Sequence, residues 1–193
     1  MEPSKRVEAI PPSATLSISA RAGELRAAGE DVVALSAGQP DFPTPAHIVD
    51  AARQALADGA FGYTPTAGTP ALRQAVAETL GAATGQSLTP AHVLVSTGAK
   101  QSLHNLMMAL VDPGDEVLVP APYWVSYPTM AESAGGVFKA LPTTQADGFK
   151  LRPDTLRQAL NERSRVLILN TPSNPTGAAY ERSDLEALAE VVL

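Results

Sequence analysis

The chain has 193 residues, a formal net charge of -6, 45% hydrophobic residues and no cysteine. That length is about one large domain, the acidic balance leaves no basic stripe for nucleic acid, and the absence of thiols excludes disulfides and thiolate metal sites. No apolar run approaches the ~20 residues of a membrane helix, and Met1-Glu2-Pro3-Ser4-Lys5-Arg6 lacks the apolar core of a secretory signal. A cytoplasmic protein with no membrane or nucleic-acid partner is expected.

Proline and glycine divide the chain into elements. A helix is predicted from about Ser13 to Ala28, closed by Gly29. Thr44-Pro45 and Thr69-Pro70 each read as a cap followed by proline at the first helical position. The first opens a helix through Leu56 to Gly59 with Ile48, Ala51, Ala52 and Ala55 as its apolar stripe; the second runs through Leu80 on Leu72, Ala75 and Val76. From Val93 the pattern alternates: strand 93–95, helix 100–110, strand 116–119, a Pro128-interrupted helix to Ala134, strand 137–140, helix 153–160 and strand 165–170. Ser183 and Glu186 form a capping box that opens a last helix on Leu185, Leu188, Ala189 and Val192. The layout is α/β, a mostly parallel sheet flanked by helices. The final pattern meets no stop signal before Leu193, so a truncated chain is expected.

Three loops at strand ends carry chemistry. Asn170-Thr171-Pro172-Ser173-Asn174-Pro175-Thr176-Gly177 follows an apolar strand, and its prolines push Thr171 and Asn174 toward extended backbone. The Asn174 amide is thereby aimed, and Gly177 permits a turn. Ser96-Thr97-Gly98-Ala99 leads into the helix beginning near Lys100, where free amides and the helix dipole favour a phosphate or carboxylate. Pro120-Ala121-Pro122-Tyr123-Trp124 places the only tryptophan at a strand's carboxyl end, where ligands gather in open α/β sheets and an indole can stack on a flat ring. Each loop, taken singly, is also an ordinary turn or a core aromatic.

Taken in order, these pieces resemble the class I and II aminotransferases, the fold type I family that uses pyridoxal 5'-phosphate, and most closely its bacterial aspartate aminotransferase-like branch. The likeness is collinear: Ser13-Ala14-Thr15-Leu16, Ser36-Ala37-Gly38-Gln39-Pro40-Asp41-Phe42, Tyr63-Thr64-Pro65-Thr66-Ala67-Gly68, Ser96-Thr97-Gly98-Ala99-Lys100-Gln101, Asp112-Pro113-Gly114-Asp115-Glu116-Val117, Pro122-Tyr123-Trp124-Val125-Ser126-Tyr127-Pro128 and Asn174-Pro175-Thr176-Gly177. The resemblance implies an amino-terminal portion of such an enzyme, with an arm and small-domain segment over 1–45 and the first part of the cofactor-binding large domain over 46–193. It further implies a homodimer that moves an amino group from an amino acid, aspartate first, to a 2-oxo acid.

By residue, the resemblance implies that the amides of Gly98, Ala99 and Lys100 hold the cofactor phosphate and that Trp124 lies against its ring. Asn174 would donate to the ring's phenolic oxygen. Gly38 would offer backbone to the substrate carboxylate beside Trp124 and Asn174, and Tyr63 would reach the phosphate of the neighbouring subunit. Family members carry the Schiff-base lysine, the aspartate that protonates the ring nitrogen and the substrate-gripping arginine beyond the point matching Leu193. No catalytic residue is therefore expected here, and the chain alone should not transaminate. Because the family's sheet takes further strands from later sequence, the isolated chain is also expected to be poorly soluble or held by partner subunits.

The rivals are a carbon-sulfur lyase or cyclopropane-forming synthase of the same cofactor family, a non-catalytic remnant, and a nucleotide-binding module. The last would need more glycine than Ser96-Thr97-Gly98-Ala99 supplies. His47, His92 and His104 have no metal-ligand spacing. Asp112 and Asp115 flank a Pro-Gly pair and read as turn residues.

Overall fold

The computed structural model describes residues 2–8, 10–60 and 62–193. In chain order the helices are α1 (Lys5–Glu8), α2 (Ala14–Ala27), α3 (Ala46–Ala57), α4 (Pro70–Thr84), α5 (Gly98–Leu110), α6 (Ser126–Ser133), α7 (Pro153–Ala159) and α8 (Arg182–Val192), with a 3-10 turn at Pro90–His92. The strands are β1 (Glu116–Pro120), β2 (Val137–Leu141) and β3 (Ser164–Leu167). They pack as two compact units, Met1–Ile18 with Lys100–Leu193, and Ser19–Ala99.

The first unit is a three-layer body. Its sheet has the order β2-β1-β3 and every pairing is parallel. β1 takes the centre because Val117, Leu118 and Val119 are apolar in an unbroken run, which suits a strand with no solvent face; each is at most 1% exposed. Alternation sorts the layers. Val117 and Val119 meet Met107, Val111, Tyr127 and Met130 on the α5 and α6 side, while Leu118 meets Leu141, Leu151, Leu156 and Leu188 on the α7 and α8 side. Each fully buried leucine contributes about 1.5–3 kcal/mol.

The turn into β1 is the one expected from Asp112-Pro113-Gly114-Asp115. Asp115 N–H donates to the Asp112 carbonyl at 3.0 Å, and Asp112 N–H donates to Asp115 Oδ2 at 3.0 Å. Arg165 Nε donates to the Leu110 carbonyl at 2.9 Å, which fastens the last turn of α5 to the start of β3. α5 therefore runs against the strand direction, and its first turn lies on the side of their carboxyl ends.

Several local expectations are corrected. Residues 93–95 form no ladder; among the described residues the segment's one backbone-to-backbone bond to a distant stretch is Val95 N–H to the Ala67 carbonyl at 3.0 Å. Pro128 does not interrupt α6, because it falls in the first turn, where its missing N–H has no acceptor to lose. α3 begins one residue later than expected, with Pro45 itself as the cap. α4 runs past Leu80 to Thr84 and stops at Gly85, whose φ of 69° is the left-handed cap that glycine supplies. The cap of α8 lies two residues earlier than Ser183-Glu186, with Asp184 Oδ2 accepting from the Glu181 N–H at 2.8 Å.

The second unit is helical and thinly packed. Ala22, Ala77 and Val93 are its buried apolar residues. Arg73 Nε donates to the Val93 carbonyl at 2.9 Å and its Nη2 donates to the Pro90 carbonyl, tying α4 to the segment that enters α5. Gly68 lies so close to this segment that a Cβ there would stand 2.5 Å from Val95 Cγ2.

At the amino edge of the sheet, Glu116 is the one buried charged residue among those described. Its carboxylate accepts from Asn161 Nδ2 at 2.9 Å, Lys139 Nζ at 3.0 Å and Arg163 Nη2 at 3.1 Å. These bonds, Asn161's first and Lys139's next, hold its carboxyl below the usual carboxylate range against the opposing effect of burial. One side chain thus ties the start of β1 to the middle of β2 and to the turn that enters β3.

Breaking a buried pair from one side costs about 3–5 kcal/mol, and the partly solvated Lys139 and Arg163 recover some of that. Glu116→Ala is therefore expected to lower unfolding stability at pH 7 by about 2–3 kcal/mol in a urea melt. Because the folded carboxyl is the more acidic one, its contribution is complete above the unfolded value of about 4.3 and fades as pH falls below it. The gap between wild type and Glu116→Gln should close in acid; a gap of constant size would show that the ion pairs contribute nothing.

Candidate functional site

The candidate residues are delivered to the carboxyl side of the sheet by its parallel order. Behind β1 comes the loop to Trp124; behind β3 comes the loop to Asn174; the first turn of α5 faces the same way. Parallel strands converge their exits on one rim, and that rim is where ligands sit in open α/β sheets.

Trp124 has a built environment. Its ring meets Tyr127 edge-on, with centroids 5.5 Å apart and planes at 89°, and Lys100 Nζ lies 5.1 Å from its centroid. Such a cation over an indole contributes about 0.5–1 kcal/mol at an exposed site. Tyr127 is buried, and burial pushes its hydroxyl above the usual tyrosine range, so it stays neutral. Lys100 and Trp124 line a cavity of about 730 Å³ together with His104, Met130 and the 10–16 segment.

Asn174 lines a second, smaller cleft with Asn170, Tyr123, Tyr127, Phe149 and Tyr180. Neighbouring residues serve both: Pro122, Tyr123 and Tyr127 line this cleft, and Trp124, Val125 and Ser126 line the larger cavity. The Asn174 loop is closed on itself: Gly177 N–H donates to the Ser173 carbonyl at 2.7 Å and Ser173 N–H to the Ala178 carbonyl at 2.8 Å. Gly177 has φ 72°, the left-handed turn expected of it. Thr171-Pro172 and Asn174-Pro175 are both cis.

The start of α5 is entered through a left-handed glycine. Gly98 has φ 80° and no atom within 4 Å of where a Cβ would be. Its N–H donates to the Ser96 carbonyl at 2.8 Å, while first-turn amides such as those of Ala99 and Lys100 have no acceptor inside the helix. Just ahead, the Ser96 hydroxyl is buried with no hydrogen-bond partner, an arrangement that favours a ligand able to accept from it. Gly38 and Tyr63 belong to the other unit and are both exposed.

The sequence reading missed Tyr123, Phe149 and Tyr180 as walls of the asparagine cleft. Tyr123 adjoins the motif and was legible there; Phe149 reaches it only through the long-range packing of the sheet. An indole and a cleft bearing two asparagines thus lie on the loops that leave one parallel sheet. Residues 30–193 match the family described as aminotransferase class I and II.

The chain belongs to the class I and II aminotransferases.

Among relatives of that family, it is similar to the aspartate/prephenate aminotransferase of Thermus thermophilus, 50% identical over 190 residues, or 98% of this chain and 49% of the relative. It is likewise similar to the aspartate aminotransferase of Geobacillus stearothermophilus, 47% identical over 100% of this chain and 49% of the relative. A solved structure of the Thermus thermophilus aspartate aminotransferase with maleate superimposes with a TM-score of 0.95 at 49% identity, covering 100% of this chain and 50% of that one. The chain spans about half the length of the curated relatives it matches. The fold type I assignment follows, and with it the family's cofactor, pyridoxal 5'-phosphate; the lyase alternative is not favoured.

The left-handed Gly98 gives a direct check on the turn that enters α5. Gly98→Ala meets no steric obstacle but forces a Cβ into φ 80°, which should cost about 1 kcal/mol. Gly98→Asn, better tolerated in that region, should cost less. Equal melting temperatures for all three proteins would show that the positive φ is not required.

Proposed function

We propose that this chain is the amino-terminal half of a pyridoxal-phosphate-dependent aminotransferase that takes an acidic amino acid, aspartate first, and passes its amino group to a 2-oxo acid. The observation that carries the reading is that Trp124 and Asn174 both stand on loops leaving the carboxyl ends of one parallel sheet, in a chain half-identical to an aspartate/prephenate aminotransferase.

When bound, the cofactor supplies an electron sink for the substrate's Cα. The chain's own residues position and polarise. The Gly98, Ala99 and Lys100 amides, with the Ser96 hydroxyl, hold the phosphate dianion. Trp124 covers one face of the ring and excludes water from it. Asn174 donates its amide to the phenolic oxygen and so favours the ionised form, a charge-assisted bond stronger than a neutral one. Gly38 presents backbone to the substrate carboxylate, and Tyr63, exposed here, donates to the phosphate held by a second copy. In this reading the protein acts as a homodimer, in the cytoplasm, in amino acid biosynthesis, and the lysine that forms the Schiff base comes from sequence following Leu193.

The test is an assay of the protein as encoded in its source, with any sequence that follows Leu193 included. Glutamate should form from aspartate and 2-oxoglutarate only when pyridoxal phosphate is present. Asn174→Ala should lower kcat/KM by about 10–100-fold, the range for losing a hydrogen bond to a charged group. Release of a 2-oxo acid without any amino acceptor would identify a lyase instead.

A further inference from the structure

The loop that carries Asn174 is pinned from outside by the turn over residues 144–151, and that turn holds its most strained residue against the asparagine cleft. We propose that Tyr180 and Phe149 are positioning residues for Asn174, fixing the 171–180 loop so that the amide is presented at a set place to the ligand; the ligand's identity rests on the function proposed above.

Tyr180 is the joint between the two segments. Its hydroxyl accepts from the Leu151 N–H at 2.7 Å, and its own N–H donates to Thr171 Oγ1 at 3.0 Å, which closes the loop at its base. Beside it, Lys150 Nζ donates to Asp184 Oδ2 at 2.7 Å, so the same turn is also tied to α8. Leu151 is buried with Leu156 and Leu188, and the turn is thereby anchored in the core.

Phe149 is the one non-glycine residue of positive φ among those described, at 56°. A bulky side chain rarely adopts that region, and such residues persist only where their surroundings over-determine them. Here they do. Phe149 N–H donates to the Thr144 carbonyl at 2.9 Å, Thr144 Oγ1 donates to Asp147 Oδ2 at 2.7 Å, and Arg152 Nη1 reaches Asp147 Oδ1 at 3.1 Å. A turn that wanted only to reverse the chain would be satisfied by glycine at this point, as it already is at Gly148, φ 63°. The phenyl ring instead lines the cleft with Asn170, Asn174 and Tyr180.

The experiment compares Tyr180→Phe, Phe149→Ala, Phe149→Leu, Asn174→Ala and the Tyr180→Phe/Asn174→Ala double variant in the protein as encoded. Two readouts are taken: hydrogen exchange of amides 173–178, and pyridoxal phosphate affinity by absorbance. Losing the Tyr180 hydroxyl leaves the Leu151 N–H unpaired, so exchange should quicken and affinity fall by about tenfold. Phe149→Ala should act likewise and Phe149→Leu should restore most of the loss. The pH midpoint of the bound cofactor's absorbance should move upward in Tyr180→Phe, as in Asn174→Ala. The double variant should bind little worse than Asn174→Ala alone, because both act through one amide. Unchanged exchange, or losses that simply add, would overturn the positioning role. Should the wild type fail to bind pyridoxal phosphate, the proposed function falls, and the exchange measurement still decides whether these residues hold the loop.

Discussion

A strand with no solvent face can present chemistry only at its ends, and β1 is such a strand. Val117, Leu118 and Val119 are enclosed by helices on both sides of the sheet, so polar groups are forced to one edge or the other. The two edges have separated their tasks. At the amino edge, Glu116 draws Lys139, Asn161 and Arg163 into one saturated network. At the carboxyl edge, the loops bear an indole and two asparagines. Saturation at one edge ties the strands together; the polar groups at the other are what a ligand can use.

Much of this was legible because it depends on local rules. The apolar run of β1, the Asp112-Pro113-Gly114-Asp115 turn and the positive φ at Gly177 follow from residue type and spacing alone. The failures have a common cause. Residues 93–95 have the composition of a strand, but a strand exists only when a neighbour offers a ladder, and composition does not report the neighbour. Pro128 was read as a break because its position relative to the helix start could not be known; in a first turn the same residue is harmless. The Glu116 network was not anticipated either, since Asn161 and Arg163 lie some 45 residues downstream in the chain and meet Glu116 only after the sheet has formed.

The candidate site divides along the same line. Gly98, Trp124 and Asn174 are marked by motifs, and motifs record what a loop must present. The residues that hold those loops in place carry no motif, because any side chain of fitting shape and polarity serves. Tyr180 and Phe149 are of this second kind: one is known by a hydroxyl that meets a backbone amide, the other by a backbone angle.

The second unit shows what the family fold asks of residues outside this half. Around Gly38, Leu35 is 92% exposed and Phe42 is 84% exposed. The segment before Gly38 is held by a Ser19 Oγ to Ser36 Oγ bond at 2.8 Å and by Arg26 donating to the Val32 carbonyl, and isolated apolar residues on a surface are ordinary. Each such side chain left in water forgoes about 1.5–3 kcal/mol of burial. In the function proposed above, a substrate carboxylate at Gly38 would be met by a segment with few contacts of its own, whereas Asn174 would act from a loop braced by Tyr180 and the buried Leu151.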